Sequence, residues 1–259
     1  MTGTSAQPPE TILGDIRDEA GSLGRAVLAQ QIAARLLGGL AIWLRCPAVR
    51  AGPYARPYDD LDFVVAKADS PRFRALIEAR GYLPDKFFNG LHGATRLYYG
   101  APDGRWSIDI VIDGLAMSHN LDLRGRLSGP APSVSLADLL LTKLQVFHVN
   151  SKDLGDTLCL LADHAVSDSD SDSETISLPR LTAVLGAEWG FCHTVEGNLA
   201  KVAELWERQP LPGAAHDAGA QVRAIQAAIA GAPKTRGWKM RSRIGERVRW
   251  YETPEEVRH

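Results

Sequence analysis

The chain has 259 residues, and 45% of them are hydrophobic, which suffices for one large domain or two modest ones. Its 29 Lys and Arg residues nearly balance its 31 Asp and Glu residues, so the net charge of −2 gives no indication of nucleic-acid or membrane binding. Any such role must come from a local patch. The three widely spaced cysteines argue against a disulfide framework and against a cysteine zinc site.

The N-terminal region lacks the basic start and apolar core of a secretory leader, and no apolar run is long enough to span a bilayer. We therefore expect a cytoplasmic protein with no membrane partner. Residues 1–9, rich in Thr, Ser, Gln and Pro, are typical of a frayed tail. Residues 11–23 and 25–36 are then predicted to form two helices that are separated at Gly24.

A pair of glycines, Gly38 and Gly39, follows the second predicted helix. One interpretation is a cap at the C-terminus of that helix. The other is a tight turn whose missing side chains let a triphosphate approach the backbone N–H groups, with residues 40–44 supplying a helix N-terminus. A glycine pair alone does not decide between the two.

The acidic segment 59–62 (Asp-Asp-Leu-Asp) lies further along the chain and runs into the apolar residues 63–65. Aromatic and β-branched residues in such a run favour a strand. Side chains alternate along a strand, so Asp60 and Asp62 point to one side, roughly 6–7 Å apart, while Asp59 faces the other way. Two unpaired carboxylates this close repel each other, and a divalent metal ion is the simplest partner for them.

A β-hairpin is predicted where residues 95–99 and 106–113 flank the turn sequence Gly-Ala-Pro-Asp-Gly. Asp109 lies in the middle of the second strand, where aspartate is disfavoured and where solvation alone explains it poorly. If this hairpin lies beside the acidic strand, Asp109 becomes the third carboxylate of a cluster with Asp60 and Asp62.

Helical patterns dominate the second half of the chain, after a linker rich in Ser, Gly and Pro at residues 127–133. We therefore predict two domains, residues 1–130 and residues 131–259, of which the second is all-helical. Lys143 lies in a helix predicted over residues 136–149, where its side chain either extends to water or faces a phosphate.

The next predicted helix, over residues 152–164, begins with Lys152, Asp153 and Asp156. Acidic residues in a first turn interact favourably with the helix dipole, so the two aspartates have an ordinary structural explanation. The spacing of Lys152, Asp153 and Asp156 indicates a function only when it is considered together with the motifs in the first half of the chain.

The C-terminal segment 234–249 is basic, with seven Lys and Arg residues against one Glu, and it carries Trp238 and is followed by Trp250. Basic side chains interleaved with aromatic rings suit the phosphate backbone and exposed bases of a nucleic acid. A basic helix that packs against the acidic part of the same protein explains the segment equally well.

The glycine pair Gly38-Gly39, then Arg56 ahead of Asp60 and Asp62, then a single aspartate in a later strand, resembles the nucleotidyltransferase superfamily. Members of that superfamily share a glycine pair, an Asp-x-Asp strand and a third acid. The resemblance implies an α/β fold, with a nucleotidyltransferase-like mixed sheet, flanking helices and an all-helical C-terminal domain.

Lys143, followed by the segment from Lys152 to Asp156, makes the chain most similar to the AbiEii toxin-type nucleotidyltransferases. It is also similar to the aminoglycoside nucleotidyltransferases. The resemblance covers roughly residues 30–165, and Lys152 stands where the toxin type usually has arginine.

This resemblance implies roles for individual residues. Asp60 and Asp62 would bind Mg²⁺, which prefers oxygen ligands, and Asp109 would complete the metal site or deprotonate the acceptor hydroxyl. The residues implied to contact the nucleoside triphosphate are Gly38, Gly39, Arg56, Lys143, Lys152 and Asp156.

The implied activity is transfer of a nucleoside monophosphate from a nucleoside triphosphate to an acceptor hydroxyl. The basic aromatic segment favours RNA, in particular a tRNA end, and a toxin-type role would bring an antitoxin partner. A small molecule such as an aminoglycoside, or a protein hydroxyl, stays open as the acceptor. The alternative is a non-catalytic protein of the same fold that binds a nucleotide or a partner chain, although Asp60, Asp62 and Asp109 are all retained.

Overall fold

The computed structural model describes residues 11–253, so the tail predicted at residues 1–9 lies outside the described residues. Within them the chain forms a five-stranded mixed sheet and the helices that flank it. The mixed α/β fold class predicted from the sequence is thereby confirmed. In this part of the chain no helix combines the length and the apolar composition needed to cross a bilayer.

The central sheet places the acidic segment in its middle. Its strands are β1 (Ala34–Leu37), β2 (Asp60–Val65), β3 (Leu83–Pro84), β4 (Arg96–Gly100) and β5 (Ser107–Ile112), in the spatial order β1-β2-β5-β4-β3. The pair β2–β5 is parallel, and the other neighbouring pairs are antiparallel. The predicted hairpin is therefore confirmed as β4–β5, and it lies directly beside the acidic strand.

Shorter strands lie outside this sheet. They are the antiparallel pair β6 (Gly114–Ala116) and β7 (Asn120–Asp122) and the parallel pair β8 (Val166–Ser167) and β9 (Ile176–Ser177). The hairpin β6–β7 follows β5 directly, and β6 contacts both β2 and β5.

Helices surround the sheet and make up most of the second half of the described chain. They are α1 (Ile16–Ala29), α2 (Gly38–Arg45), α3 (Pro47–Ala51), α4 (Ser70–Arg80), α5 (Lys86–His92), α6 (Leu136–Leu144), α7 (Ser151–Asp163), α8 (Leu178–Ala187), α9 (Trp189–Arg208), α10 (Ala218–Gly231) and α11 (Arg236–Ile244). Helix α2 packs against β1 and β2 on one side and against α6 and α7 on the other. It therefore connects the sheet to the helical half.

A single helix, α1, spans the region where the sequence predicts two, so the break at Gly24 and the helix over residues 25–36 are wrong. Gly24 is a close-packing position, because a Cβ there would lie 2.7 Å from the Cβ of Pro132. The chain turns at Gln31, whose φ is +52°, and then enters β1. Pairing with β2 thus overrides the local helical pattern of this segment.

The helix predicted over residues 136–149 ends earlier, at Leu144, before a turn that leads to α7. The predicted linker is tied to the sheet, since the N–H of Leu36 donates to Pro132 and the N–H of Val134 donates to Leu36. Buried hydrophobic residues from both halves of the chain form one continuous cluster. The division into two domains at residue 130 stays a prediction.

A buried aspartate at the start of α6 fixes this helix against its surroundings. Asp138 is fully buried, and its carboxylate accepts hydrogen bonds from Arg126 at 2.7 Å and from Arg180 at 2.7 Å. Ser135 caps the helix by accepting from the N–H of Asp138, and its hydroxyl donates to the carboxylate. The interaction matters for the site because α6 also carries Lys143.

We expect Asp138→Asn to lower the free energy of unfolding by about 3 kcal/mol, since removing one partner of a buried ion pair leaves the other charges uncompensated. Chemical denaturation measures the change. Glu204→Gln is the control, because Glu204 and Arg208 form an exposed pair at 3.9 Å and such pairs contribute less than about 1 kcal/mol. Equal effects of the two substitutions would contradict this role of Asp138.

Candidate active site

Three carboxylates are brought together by the register of the two central strands. Asp62 of β2 lies directly opposite Asp109 of β5, and Asp60 lies opposite Ser107. Neighbouring strands are about 4.8 Å apart, and residues two positions apart on a strand share a face. The structure therefore places Asp60, Asp62 and Asp109 on one face, as the sequence predicts. Asp109 and Asp62 are half-buried, and Asp60 is exposed.

Two of these carboxylates make no direct ion pair among the described residues, although Lys143, Arg56 and Arg96 lie near enough to offset part of their charge. Within residues 11–253 the carboxylates of Asp60 and Asp62 have neither a hydrogen-bond donor nor an ion-pair partner. Burial, together with the negative charges of Asp60 and Asp109, raises the pKa of Asp62 to about 8. The pKa of Asp60 is also raised, by displacement of water and then by Asp109. The arrangement thus concentrates negative charge at one face of the sheet.

Gly38 makes the closest approach of the backbone to these carboxylates. It is the first residue of α2, its φ is +72°, and a Cβ there would lie 1.9 Å from Oδ2 of Asp62. Both the conformation and the contact therefore require glycine. The glycine pair begins a helix rather than ending one, so the interpretation as a helix C-cap is wrong. Helix α2 starts beside Asp62.

Gly39 has a different environment. A Cβ at this position would lie 2.7 Å from Nη2 of Arg56 and 2.9 Å from Cε1 of Tyr58. This glycine thus allows Arg56 and Tyr58 to pack against α2, and it does not line the cleft that Gly38 lines. Its contact with a triphosphate stays a prediction.

Lys143 is deeply placed and fully engaged by acidic residues of α7. Its Nζ lies 2.8 Å from Oδ1 of Asp153 and 2.9 Å from Oδ2 of Asp156. Burial alone would lower the pKa of Lys143, but Asp156 and Asp153 outweigh it and the pKa is raised, so the side chain stays charged. The prediction that this side chain extends to water is wrong, because its charge is held inside the protein at the cleft wall.

Arg56 joins the same group from the other side. Its Nη2 donates to Oδ2 of Asp156 at 2.9 Å, and its guanidinium lies 4.5 Å from the centre of the Tyr58 ring. Oδ1 of Asp156 is buried without a hydrogen-bond partner among the described residues. Lys152, in contrast, is exposed in the first turn of α7 and does not line the cleft. The structure thus brings Arg56 and Asp156 to Lys143 but leaves Lys152 apart.

Arg96 is a site residue that the sequence reasoning missed. This half-exposed arginine of β4 forms a two-pronged pair with Asp109, in which Nε lies 2.8 Å from Oδ1 and Nη2 contacts Oδ2. The register of the β4–β5 hairpin would identify Arg96 as a site residue. Tyr98 lies opposite Asp109, so Arg96, two residues away on the same strand, shares that face.

Two clefts meet at the acidic residues. The inner cleft has a volume of about 430 Å³ and is lined by Gly38, Asp62, Met117, Lys143 and others. The outer cleft has a volume of about 640 Å³ and is lined by Tyr98, Arg105, Trp106 and others. Asp60, Arg96 and Asp109 line both clefts. Two ligands can therefore reach the same carboxylates from different sides.

In the described residues no group of three or more His, Cys, Asp or Glu side chains is arranged to hold a metal ion. At the acidic strands Arg96 contacts both oxygens of Asp109. Asp60 and Asp62 fit a hard divalent cation, since carboxylate oxygens are the ligands that Mg²⁺ prefers and these two make no ion pair among the described residues. The Asp62 carboxylate occupies the place that a side chain at position 38 would take.

The basic C-terminal segment forms α11 and the residues after it. Trp238 and Trp250 are half-buried rather than exposed, and Nε1 of Trp250 donates to Oγ1 of Thr194 at 3.2 Å. The outward side carries exposed basic side chains for which the described residues provide neither an ion-pair partner nor a side-chain hydrogen bond, namely those of Arg236, Lys239, Arg243 and Arg247. The segment is thus a helix packed on its tryptophan side and positively charged on the other.

Comparisons with known proteins give little further information. No protein-family model matches the chain, and no curated protein matches it significantly. The protein JHP933 from Helicobacter pylori, which has a crystal structure, shares 15% sequence identity with this chain. The two structures superpose with a TM-score of 0.39 over 84% of this chain and 95% of JHP933. An antigenic nucleotidyltransferase-like protein from Paracoccidioides brasiliensis is 13% identical, with a TM-score of 0.41, covering 88% and 97%. Similarity this low assigns neither a family nor a function to the chain.

We expect Gly38→Ala to abolish stabilisation of the protein by Mg²⁺, because the added Cβ would push the Asp62 carboxylate out of position. Thermal denaturation with and without Mg²⁺ measures the effect. Gly104→Ala is a matched control, since Gly104 also has a positive φ, of +69°, but has no atom within 4 Å of the added Cβ. Both variants should lose roughly 1 kcal/mol to backbone strain. A Gly38→Ala variant that still responds to Mg²⁺ would contradict the prediction.

The raised pKa of Asp62 predicts a pH-dependent stability of the metal-free protein. A carboxyl whose pKa is higher in the folded state than in the unfolded state loses stability as the pH rises, here from about pH 4 to about pH 8. Asp62→Asn removes this group. In EDTA we expect the variant to match wild type near pH 4 and to exceed it at pH 8 by on the order of 3 kcal/mol.

Denaturant unfolding at several pH values measures this difference. Asp168→Asn is the control, because Asp168 is an exposed aspartate just after β8, and the variant should have the same stability as wild type at every pH. A gap between Asp62→Asn and wild type that stays constant across the pH range would refute the prediction.

Proposed function

We propose that this chain is a Mg²⁺-dependent nucleotidyltransferase that transfers a nucleoside monophosphate from a nucleoside triphosphate to an acceptor hydroxyl. The observation that carries the proposal is the unpaired carboxylate pair, Asp60 and Asp62, beside the positive-φ glycine Gly38 at the start of a helix. An anionic substrate can enter such a site only together with cations. The resemblance of the motifs to toxin-type nucleotidyltransferases supports the same reaction.

The residues of the inner cleft have complementary tasks in this proposal. Asp60 and Asp62 hold the metal, and bound Mg²⁺ supplies positive charge to the triphosphate oxygens. Because Gly38 has no side chain, the Asp62 carboxylate packs against the start of α2. The N–H groups at this helix N-terminus favour the phosphates of the nucleotide. Lys143 adds a fixed positive charge at the opposite wall, although Asp153 and Asp156 neutralise part of it.

The reaction forms a bond between the acceptor oxygen and the α-phosphorus and breaks the bond to the β-phosphate, so that pyrophosphate leaves. The hydroxyl proton has to go to a base. Asp109 lies at the junction of the inner and outer clefts and is the candidate, either as the proton acceptor or as a third metal ligand. Nucleotide in the inner cleft and acceptor in the outer cleft would then meet at this residue.

RNA, and in particular a tRNA end, is the acceptor that we favour. The unpartnered basic side chains of α11 provide a surface for a phosphate backbone. A cationic antibiotic would need an acidic acceptor pocket, but the candidate acids are engaged: Asp153 and Asp156 pair with Lys143, and Asp163 accepts from the N–H of Ala48. A toxin-type role would also require an antitoxin as a neutralising protein partner.

Incubation with each α-phosphate-labelled nucleoside triphosphate, Mg²⁺ and total RNA tests the proposal. We expect label on RNA with wild type and a loss of about 100-fold or more with Asp62→Ala, since charge-stabilising groups contribute at least that much. Asp168→Ala should keep full activity, because Asp168 is exposed and lines neither cleft. Labelling that survives Asp62→Ala would refute the mechanism, and no labelling of any acceptor would favour the non-catalytic binding protein.

A further inference from the structure

Arg96 stands out among the charged residues of the site because, within residues 11–253, its one ion-pair partner is itself a candidate metal ligand. Its guanidinium contacts both oxygens of Asp109, with Nε 2.8 Å from Oδ1 and 3.1 Å from Oδ2. A guanidinium paired in this way on both oxygens offsets the charge of the carboxylate and repels a second cation beside it. Cation binding and the Arg96–Asp109 pair therefore oppose each other.

Lys143, the other basic residue that lines the inner cleft, is held differently. Lys143 is buried and is shared between Asp153 and Asp156, neither of which belongs to the acidic strands. Asp153 and Asp156 thus neutralise the charge of Lys143 without Asp60, Asp62 or Asp109. Release of Lys143 would leave the half-buried Asp153 without its ion-pair partner and the buried Asp156 with Arg56 alone, which is costly. Of the two basic residues that line the inner cleft, Arg96 is thus the one that is free to change partner.

The position of Arg96 makes such a change possible. Its side chain is 36% exposed and lies on β4 where the inner and outer clefts meet. An arginine at that place can turn from a carboxylate to a phosphate group without unfolding any element. Guanidinium pairs with phosphate in the same two-pronged geometry that it uses with carboxylate.

We propose that Arg96 is a displaceable counter-ion, which neutralises Asp109 until a divalent cation arrives and then transfers to the phosphates of the bound nucleotide. Arg96 is in this view a positioning residue, which makes cation binding and nucleotide binding cooperative. The cation alone has to displace Arg96 from Asp109 without compensation. With nucleotide present the guanidinium has a new partner, so the cation binds more tightly. The inference rests on the proposed nucleotide and metal site.

This cooperativity between cation binding and nucleotide binding acts in both directions, and it can be measured by binding alone, without catalysis. If nucleotide raises the affinity for the cation, the cation raises the affinity for nucleotide by the same factor. Removal of Arg96 should weaken this coupling from both directions. A merely structural arginine would change the stability of the protein but leave the coupling intact.

The test measures Mg²⁺ midpoints from the shift in thermal denaturation, with and without a non-hydrolysable nucleoside triphosphate analogue. Each variant is compared with its own metal-free melting temperature, so a change in basal stability does not interfere. In the absence of nucleotide we expect Arg96→Gln to lower the Mg²⁺ midpoint by about tenfold relative to wild type, within the range of typical coupling factors. The analogue should lower the midpoint strongly in wild type and much less in Arg96→Gln.

Two further variants separate this role from a general loss of positive charge. Arg105→Gln is the matched control, because Arg105 lines the outer cleft but pairs with Asp103 at 2.6 Å, and it should behave as wild type. In the background of Asp109→Asn the substitution Arg96→Gln should leave the Mg²⁺ midpoint unchanged, since the competition acts through Asp109.

The outcomes distinguish this inference from the proposed function. A wild-type protein that responds to Mg²⁺, together with an Arg96→Gln variant whose midpoint is unchanged or higher, would overturn the counter-ion role and leave the nucleotidyltransferase site in place. If Arg96→Gln changed the Mg²⁺ midpoint equally in the wild-type and Asp109→Asn backgrounds, the counter-ion role would likewise be overturned and the nucleotidyltransferase site would stay in place. A wild-type protein that ignores Mg²⁺ even with the nucleotide analogue would overturn both.

Discussion

Repulsion among three carboxylates on two neighbouring strands is the constraint around which the site is organised. The parallel pairing of β2 with β5 places Asp62 opposite Asp109 and Asp60 one step away on the same face. This sheet geometry leaves the acidic side chains little freedom to separate. Burial and the neighbouring carboxylates raise the pKa of Asp62, although Lys143 and Arg96 lower it in part. The proposed cation would offset the remaining negative charge.

The neighbouring elements deliver positive charge in two ways. Arg96 reaches Asp109 across the β4–β5 hairpin, whereas Lys143 is delivered by α6 and is held by acids of α7. Helix α2 packs against α6 and α7, which joins the helical half to the carboxylates of the sheet. Gly38 at the start of that helix is the nearest approach of backbone to Asp62. The sheet and the helical half thus both contribute charged residues to one site. In the proposed function, the cation that binds with the nucleotide would offset the excess negative charge there.

Much of this arrangement was predictable from the sequence, because strand alternation and the hairpin turn are local signals. They suffice to put Asp60, Asp62 and Asp109 together. Other features depend on tertiary contacts. Strand β1 lies in a segment with a helical pattern and forms through pairing with β2, and Gly24 continues a helix because it packs against Pro132. Arg96 is found only when the hairpin register is followed across to the neighbouring strand.

Direct location of the cation tests the central claim most sharply, namely that Asp60 and Asp62 form a divalent metal site. Crystals grown with Mn²⁺ and a non-hydrolysable nucleoside triphosphate analogue would give anomalous scattering from the metal, which marks its position independently of the refined side chains. We expect the strongest peak within coordination distance of both carboxylates, on the side of Gly38, with the triphosphate against the start of α2. A protein that binds the analogue with no metal between Asp60 and Asp62, or with its metal at a different set of residues, would contradict it.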